Sequence, residues 1–154
     1  MTVIAYDGRY VAADRQATCS GNRWTTPSKL VVWKENVLVV DGHAGHGSAL
    51  IAWFKEGASP PDYPTPRTRD PDANAGLTVF GWGRPVVRFE DGPYPVLIEG
   101  SCYAVGSGSL FAHGAMRAGA SAATAALLAA QYVEYCGGEI DVVDLKELAD
   151  AAAR

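Results

Sequence analysis

Three β-hairpins are written into this sequence, and they limit its fold more than any other feature. In each, two β-prone runs flank a turn too short for anything but an antiparallel return. The first joins residues 2–6 to 10–13 across Asp7-Gly8. The second, "KLVVWKENVLVVDG", turns at Lys34-Glu35-Asn36, and the third, "LTVFGWGRPVVRFED", turns at Gly83-Arg84-Pro85. The strands of the second are almost unbroken apolar runs, so both faces of its sheet are expected to be covered. Asp14-Arg15-Gln16 reads as the polar end of the first hairpin.

Helical signals separate these hairpins. "GHGSALIAWFKEG" places Leu50, Ile51, Trp53 and Phe54 on a helix that ends at Gly57. The five prolines of "ASPPDYPTPRTRDPDANAG" then forbid a regular helix, which makes 58–74 a surface loop or lid. "YPVLIEG" and "CYAVGSG" add β segments. "SLFAHGAMRAG" reads as a helix closed by Gly119, and "SAATAALLAAQYVEY" as an Ala/Leu-rich helix capped by Ser121. "EIDVVDL" returns as a strand, and "KELADAAAR" is a short helix or a frayed tail. Strands, helix, strands, two helices and a strand describe an α+β fold with antiparallel sheets between helix layers, an αββα sandwich. Residues 1–154 are expected to form a single domain.

With 48% hydrophobic and 19% charged residues, the chain has the balance of a soluble globular protein. Its net charge of -4 provides no basic field, which argues against nucleic acid or an anionic membrane as a partner. No apolar run nears the ~20 residues of a membrane span, and the N-terminus lacks a secretory pattern. Cys19, Cys102 and Cys136 are odd in number and far apart, so they read as free thiols in a reducing, cytoplasmic setting.

Thr2 is a candidate for chemistry. Initiator methionine is commonly removed before a small residue, which would leave Thr2 with a free α-amine and a β-hydroxyl. An alcohol needs a base to become a nucleophile, and an N-terminal amine can be that base. Its ordinary pKa of roughly 8 lies near neutrality. If Met1 stays, the Thr2 nitrogen is an amide and cannot act as a base. By itself, Thr2 is also an ordinary β-branched residue opening a strand.

Four further stretches, "AADRQAT" (12–18), "PSKLV" (27–31), "DGHAGHG" (41–47) and "YAVGSGSLFAHGA" (103–115), fall in the order and spacing of proteasome β-type subunits. Together they resemble the bacterial HslV peptidase and its shorter phage-type relatives. The closing "AAQYVEYCGGEIDVVDL" (129–145) is similar to the segment that ends in a Gly-Gly turn and a last strand in that family. The resemblance implies an N-terminal nucleophile hydrolase. It casts Thr2 as nucleophile with its amine as base, Lys29 as the cation that lowers that amine's pKa, and Asp14 as the carboxylate that orients Lys29. Gly42 supplies the oxyanion N–H, and Ser107 shuttles protons beside the amine. The implied activity is a threonine endopeptidase acting on peptide or unfolded protein, bound by strand addition beside Thr2. Also implied are a homo-oligomeric ring, a partner AAA+ ATPase, and no metal or organic cofactor.

The chain departs from that pattern in two places. Val133 stands where proteasomal subunits carry an aspartate, and Cys136 where they carry a serine. The Pro-rich 58–74 replaces the family's second long helix, which contributes to ring contacts and ATPase docking. Two alternatives are therefore carried beside the peptidase: a small-molecule amidase of the same chemistry, and a non-catalytic assembly protein. His43 and His46 lie three apart but have no carboxylate or cysteine at ligand spacing, so a metal site is not the expectation; His43 could line a substrate pocket. No cysteine-nucleophile signature or phosphate-loop spacing is present. The four tryptophans read as core or interface residues.

Overall fold

The computed structural model describes residues 2–66 and 71–154. In chain order the strands and helices are β1 (Ile4–Tyr6), β2 (Tyr10–Asp14), β3 (Gln16–Cys19), β4 (Asn22–Thr25), β5 (Val31–Trp33), β6 (Asn36–Gly42), α1 (Ala44–Lys55), β7 (Ala75–Gly81), β8 (Val86–Phe89), β9 (Val96–Ile98), β10 (Tyr103–Val105), α2 (Ser109–Arg117), α3 (Ala122–Tyr132), β11 (Ile140–Asp144) and α4 (Leu145–Ala152). No helix among the described residues is long and apolar enough to cross a membrane.

The strands form two main antiparallel sheets and one small ribbon. The first sheet has the order β10-β1-β2-β11, the second β5-β6-β7-β8-β9, and β3 pairs only with β4. Alternation along β1 sends Ile4 and Tyr6 to one face and Val3 and Ala5 to the other. Ile4 packs with Val11, Val37, Val39 and Phe80 between the two sheets. Val3 and Ala5 instead meet Ala112, Ala122, Ala125, Ala126 and Ala129 of α2 and α3. These alanines bring the helix backbones close to the sheet. On the far side, Leu50 and Trp53 of α1 pack on Leu38, Leu77, Val79 and Phe89. Each fully buried Leu or Val contributes about 1.5–3 kcal/mol. The layers run helix, sheet, sheet, helix, as the sequence indicates.

Register places the site. Ile4 stands opposite Ala13 on one side and Val105 on the other. The N-terminal end of β1 therefore lies between the C-terminal ends of β2 and β10, where Asp14 and Ser107 follow.

Several boundaries differ from expectation. The second strand does end in this polar stretch, at Asp14, but Gln16 then opens a further strand. The β3–β4 ribbon was not foreseen, because β4 is polar and exposed on both faces. Its signal was Ser20-Gly21, whose φ values of 49 and 79 are both positive, as tight hairpin turns require. Coverage on both faces holds for β6, whereas β5 is a sheet edge with Val32 49% exposed. α3 stops at Tyr132, short of Tyr135, and residues 145–152 form a helix rather than a frayed tail. Within the Pro-rich stretch the chain makes 3-10 turns at Pro60–Asp62 and Pro71–Ala73. Residues 67–70 of that stretch lie outside the described residues.

Candidate active site

Asp14 is the best starting point, because a carboxylate with no solvent exposure must be satisfied by the protein. Its Oδ1 accepts from Lys29 Nζ (2.7 Å), Thr2 Oγ1 (2.8 Å) and the Val3 amide (2.9 Å). Its Oδ2 accepts from the Gly137 amide at 3.0 Å. Four donors, one of them a full charge, offset the loss of water. Gly137 belongs to the Gly-Gly turn before β11, docked where the Gln16 amide donates to Gly137 O at 3.0 Å.

Lys29 precedes β5 and reaches across to the first sheet. Its Nζ donates to Asp14 Oδ1, to Thr2 Oγ1 (2.8 Å) and to the Gln16 carbonyl (2.7 Å). An ammonium has three donors, and all three are used. Burial pushes the Lys29 pKa below the usual lysine value, while Asp14 pulls the other way. The three acceptors fit an ammonium.

Thr2 is 4% exposed and held from every side. Its Oγ1 donates to Asp14 and accepts from Lys29. Its nitrogen donates to Ser107 Oγ at 3.0 Å. Its carbonyl accepts from the Gly108 amide (3.1 Å) and from Ser107 Oγ (3.2 Å). Gly106 has φ +93, and a Cβ there would collide with the Thr2 carbonyl and its Cγ2. Only glycine permits this approach. Cys136 completes this side, its Sγ 3.9 Å from Ser107 Oγ. Burial, with Asp14 nearby, pushes the Cys136 thiol pKa up, which keeps it a neutral S–H. Val133 packs among the apolar residues beneath α2 and α3.

Gly42 stands outside this network, at the end of β6 in the other sheet. The His43 amide donates to Asn74 O (2.9 Å), and the Ala75 amide donates to His46 Nδ1 (2.9 Å). Gly42 and Ala75, opposite each other in register, are thus a non-hydrogen-bonded pair, and the Gly42 N–H turns away from β7. It turns toward the flank that carries β5, which pairs with β6 only at Asn36–Leu38. Lys29 lies on that same flank, two residues before β5. Gly42 has φ +98, and a Cβ there would stand 2.5 Å from Asn74 O, so no larger residue fits.

The structure thus gathers Thr2, Asp14, Lys29 and Ser107 into one hydrogen-bonded cluster, with Gly42 at the neighbouring strand end. The residues that sequence reasoning missed act through backbone: the Val3 and Gly137 amides, the Gln16 carbonyl, and the space Gly106 leaves open. Backbone donors have no residue-type signal, although the paired glycines 137–138 and 106–108 were visible. His43 caps α1, its Nδ1 accepting from the His46 amide at 3.3 Å.

Neither a protein-family model nor a curated protein sequence matches the chain. Solved structures do. Thiobacillus denitrificans BPH aligns at TM-score 0.69 and 19% identity, over 94% of this chain and 98% of that one. The same protein in complex with Epoxomicin aligns at TM-score 0.68 and 19% identity, over 94% and 99%. HslV from Trypanosoma brucei aligns at 0.64 and 18%, over 92% and 97%. The Anbu (Gly-1) mutant from Hyphomicrobium sp. strain MC1 aligns at 0.66 and 14%, over 99% and 94%. At such identities the likeness speaks for architecture: the chain has the αββα sandwich fold of the N-terminal nucleophile hydrolases.

Proposed function

We propose that this chain is an N-terminal nucleophile peptidase whose working form begins at Thr2, with residues 1–154 as one such domain less Met1. The observation that carries this is the placement of Thr2 Oγ1 2.8 Å from both Lys29 Nζ and Asp14 Oδ1. A merely structural threonine opening a strand has no need of a buried cation on its hydroxyl.

With Met1 removed, the Thr2 nitrogen becomes an amine beside Ser107 Oγ, and the Lys29 charge lowers its pKa. The amine takes the Oγ1 proton as Oγ1 bonds to the substrate carbonyl carbon. Lys29 steadies the developing alkoxide, and the Gly42 N–H donates to the oxyanion. Collapse breaks the C–N bond, and the departing amine carries off the proton held by the Thr2 amine. Water, deprotonated by the same amine, then cleaves the ester. The product acid leaves and Oγ1 regains its proton. Ser107, bonded to both the nitrogen and the carbonyl of Thr2, holds the amine in line.

Peptide or unfolded protein is the proposed substrate, a homo-oligomeric ring the proposed assembly, an AAA+ ATPase the proposed partner, and the cytoplasm the proposed location. The likeness to HslV supports these. The test is turnover of fluorogenic peptides by untagged protein, with its native mass measured alongside. Hydrolysis by an oligomer, lost in Thr2→Ala, supports the proposal. Hydrolysis of small amides alone favours the amidase. An inert protein that retains Met1 favours an assembly role, for which Val133 in the aspartate's place is the motivating observation.

A further inference from the structure

His46 has no part in the chemistry above, yet it is 8% exposed and makes two hydrogen bonds to backbone of other segments. It lies in the first turn of α1. Its Nδ1 is 2.9 Å from the Ala75 amide and its Nε2 is 2.8 Å from the Pro64 carbonyl. An amide N–H can only donate and a carbonyl can only accept. The two partners together require a neutral ring with its proton on Nε2.

The Ala75 contact bears on Gly42. Ala75 is the Cα partner of Gly42 and the first residue of β7. The preceding Asn74 carbonyl receives the His43 amide and stands against Gly42. By occupying the Ala75 N–H, the ring fixes the strand end that holds Gly42 in its left-handed conformation. Through Pro64 it also ties the Pro-rich segment to α1.

We infer that His46 is a positioning residue for the Gly42 N–H, and that its bond to Ala75, rather than its bond to Pro64, is the one that sets that donor's direction. This rests on the peptidase proposal for its kinetic consequence but not for its structural one.

Two isosteric replacements separate the bonds. In His46→Asn the side-chain oxygen takes the place of Nδ1 and keeps the Ala75 bond; in His46→Gln the amide nitrogen takes the place of Nε2 and keeps the Pro64 bond. Amide hydrogen exchange and steady-state kinetics would be measured on wild type, H46N, H46Q and H46A. The expected result is faster exchange at Ala75 in H46Q and H46A but not in H46N, with Val39 of the core unchanged in all. With it, kcat falls about 10- to 100-fold in H46Q and H46A at near-constant KM, and H46N recovers the larger part. Equal Ala75 exchange in H46Q and wild type would overturn the inference, as would equal loss of kcat in H46Q and H46N. If wild type turns over no peptide, the exchange data still decide on His46, and the peptidase proposal alone falls.

Discussion

Thr2 and Gly42 come to the candidate site from different sheets and are held there by different means. Around the Thr2 hydroxyl the bonds run from side chain to side chain: Lys29 to Asp14, Lys29 to Thr2 and Thr2 to Asp14, at 2.7 to 2.8 Å. Around Gly42 they run mainly through backbone, with one imidazole as buttress. Charge therefore governs the first half and shape the second. Changing a charge should disturb the Thr2 side, and adding a single carbon should disturb the Gly42 side.

The largest effect is expected at the nucleophile. Thr2→Ala should abolish peptide cleavage while the far-ultraviolet circular dichroism stays that of wild type. Residual turnover at a tenth of the wild-type rate or more would place the nucleophile elsewhere. Asp14→Ala comes next. It strips the counter-ion from a lysine whose side chain is only 15% exposed, and losing one partner of such a pair costs about 3–5 kcal/mol. Chemical denaturation should register that loss, and a change under 1 kcal/mol would mean Lys29 finds water instead.

Gly42→Ala tests the other half. The added Cβ would stand 2.5 Å from Asn74 O at a φ of +98, so the strand end must shift and carry the N–H with it. Loss of one oxyanion donor costs about 100- to 1,000-fold in kcat. The variant should show that loss with a smaller loss of stability than Asp14→Ala. The reverse order would erase the distinction between the halves.

The smallest effect belongs to neither half. Arg9 holds the Asp144 carboxyl down to about 2 through a hydrogen bond at the start of α4. A depressed carboxyl pKa stabilises the fold above the unfolded value of 3.8, and that contribution is lost as pH falls through about 2. Thermal melts of Arg9→Gln should thus fall slightly below wild type at pH 6 and converge with it between pH 4 and pH 2. Peptide turnover at neutral pH should be unaffected. This exposed pair is the control for the buried one at Lys29.

The same division governs what could be read from the sequence. Asp14, Lys29 and Ser107 were singled out only through the resemblance of the motifs that carry them, whose order and spacing persist in a linear chain. The hairpins at Asp7-Gly8 and Gly83-Arg84-Pro85 were legible because turn chemistry is local, as was the Ser121 cap, whose Oγ accepts from the Thr124 amide. The β3–β4 ribbon was hidden because Asn22, Arg23 and Thr25 show no buried face. The amides of Val3 and Gly137 were hidden because any residue carries an amide, and only the fold aims it at Asp14. His46 was visible as a residue and set aside as a metal ligand. Its role depends on contacts 18 and 29 positions away along the chain.

The proposed chemistry needs Thr2 to become both the first residue of the chain and its nucleophile. Its most direct test is the intact mass of untagged protein after incubation with a peptide epoxyketone. A chain without Met1 that carries one adduct is the expected result, with no adduct on Thr2→Ala. A chain that keeps Met1 and stays unmodified would contradict it.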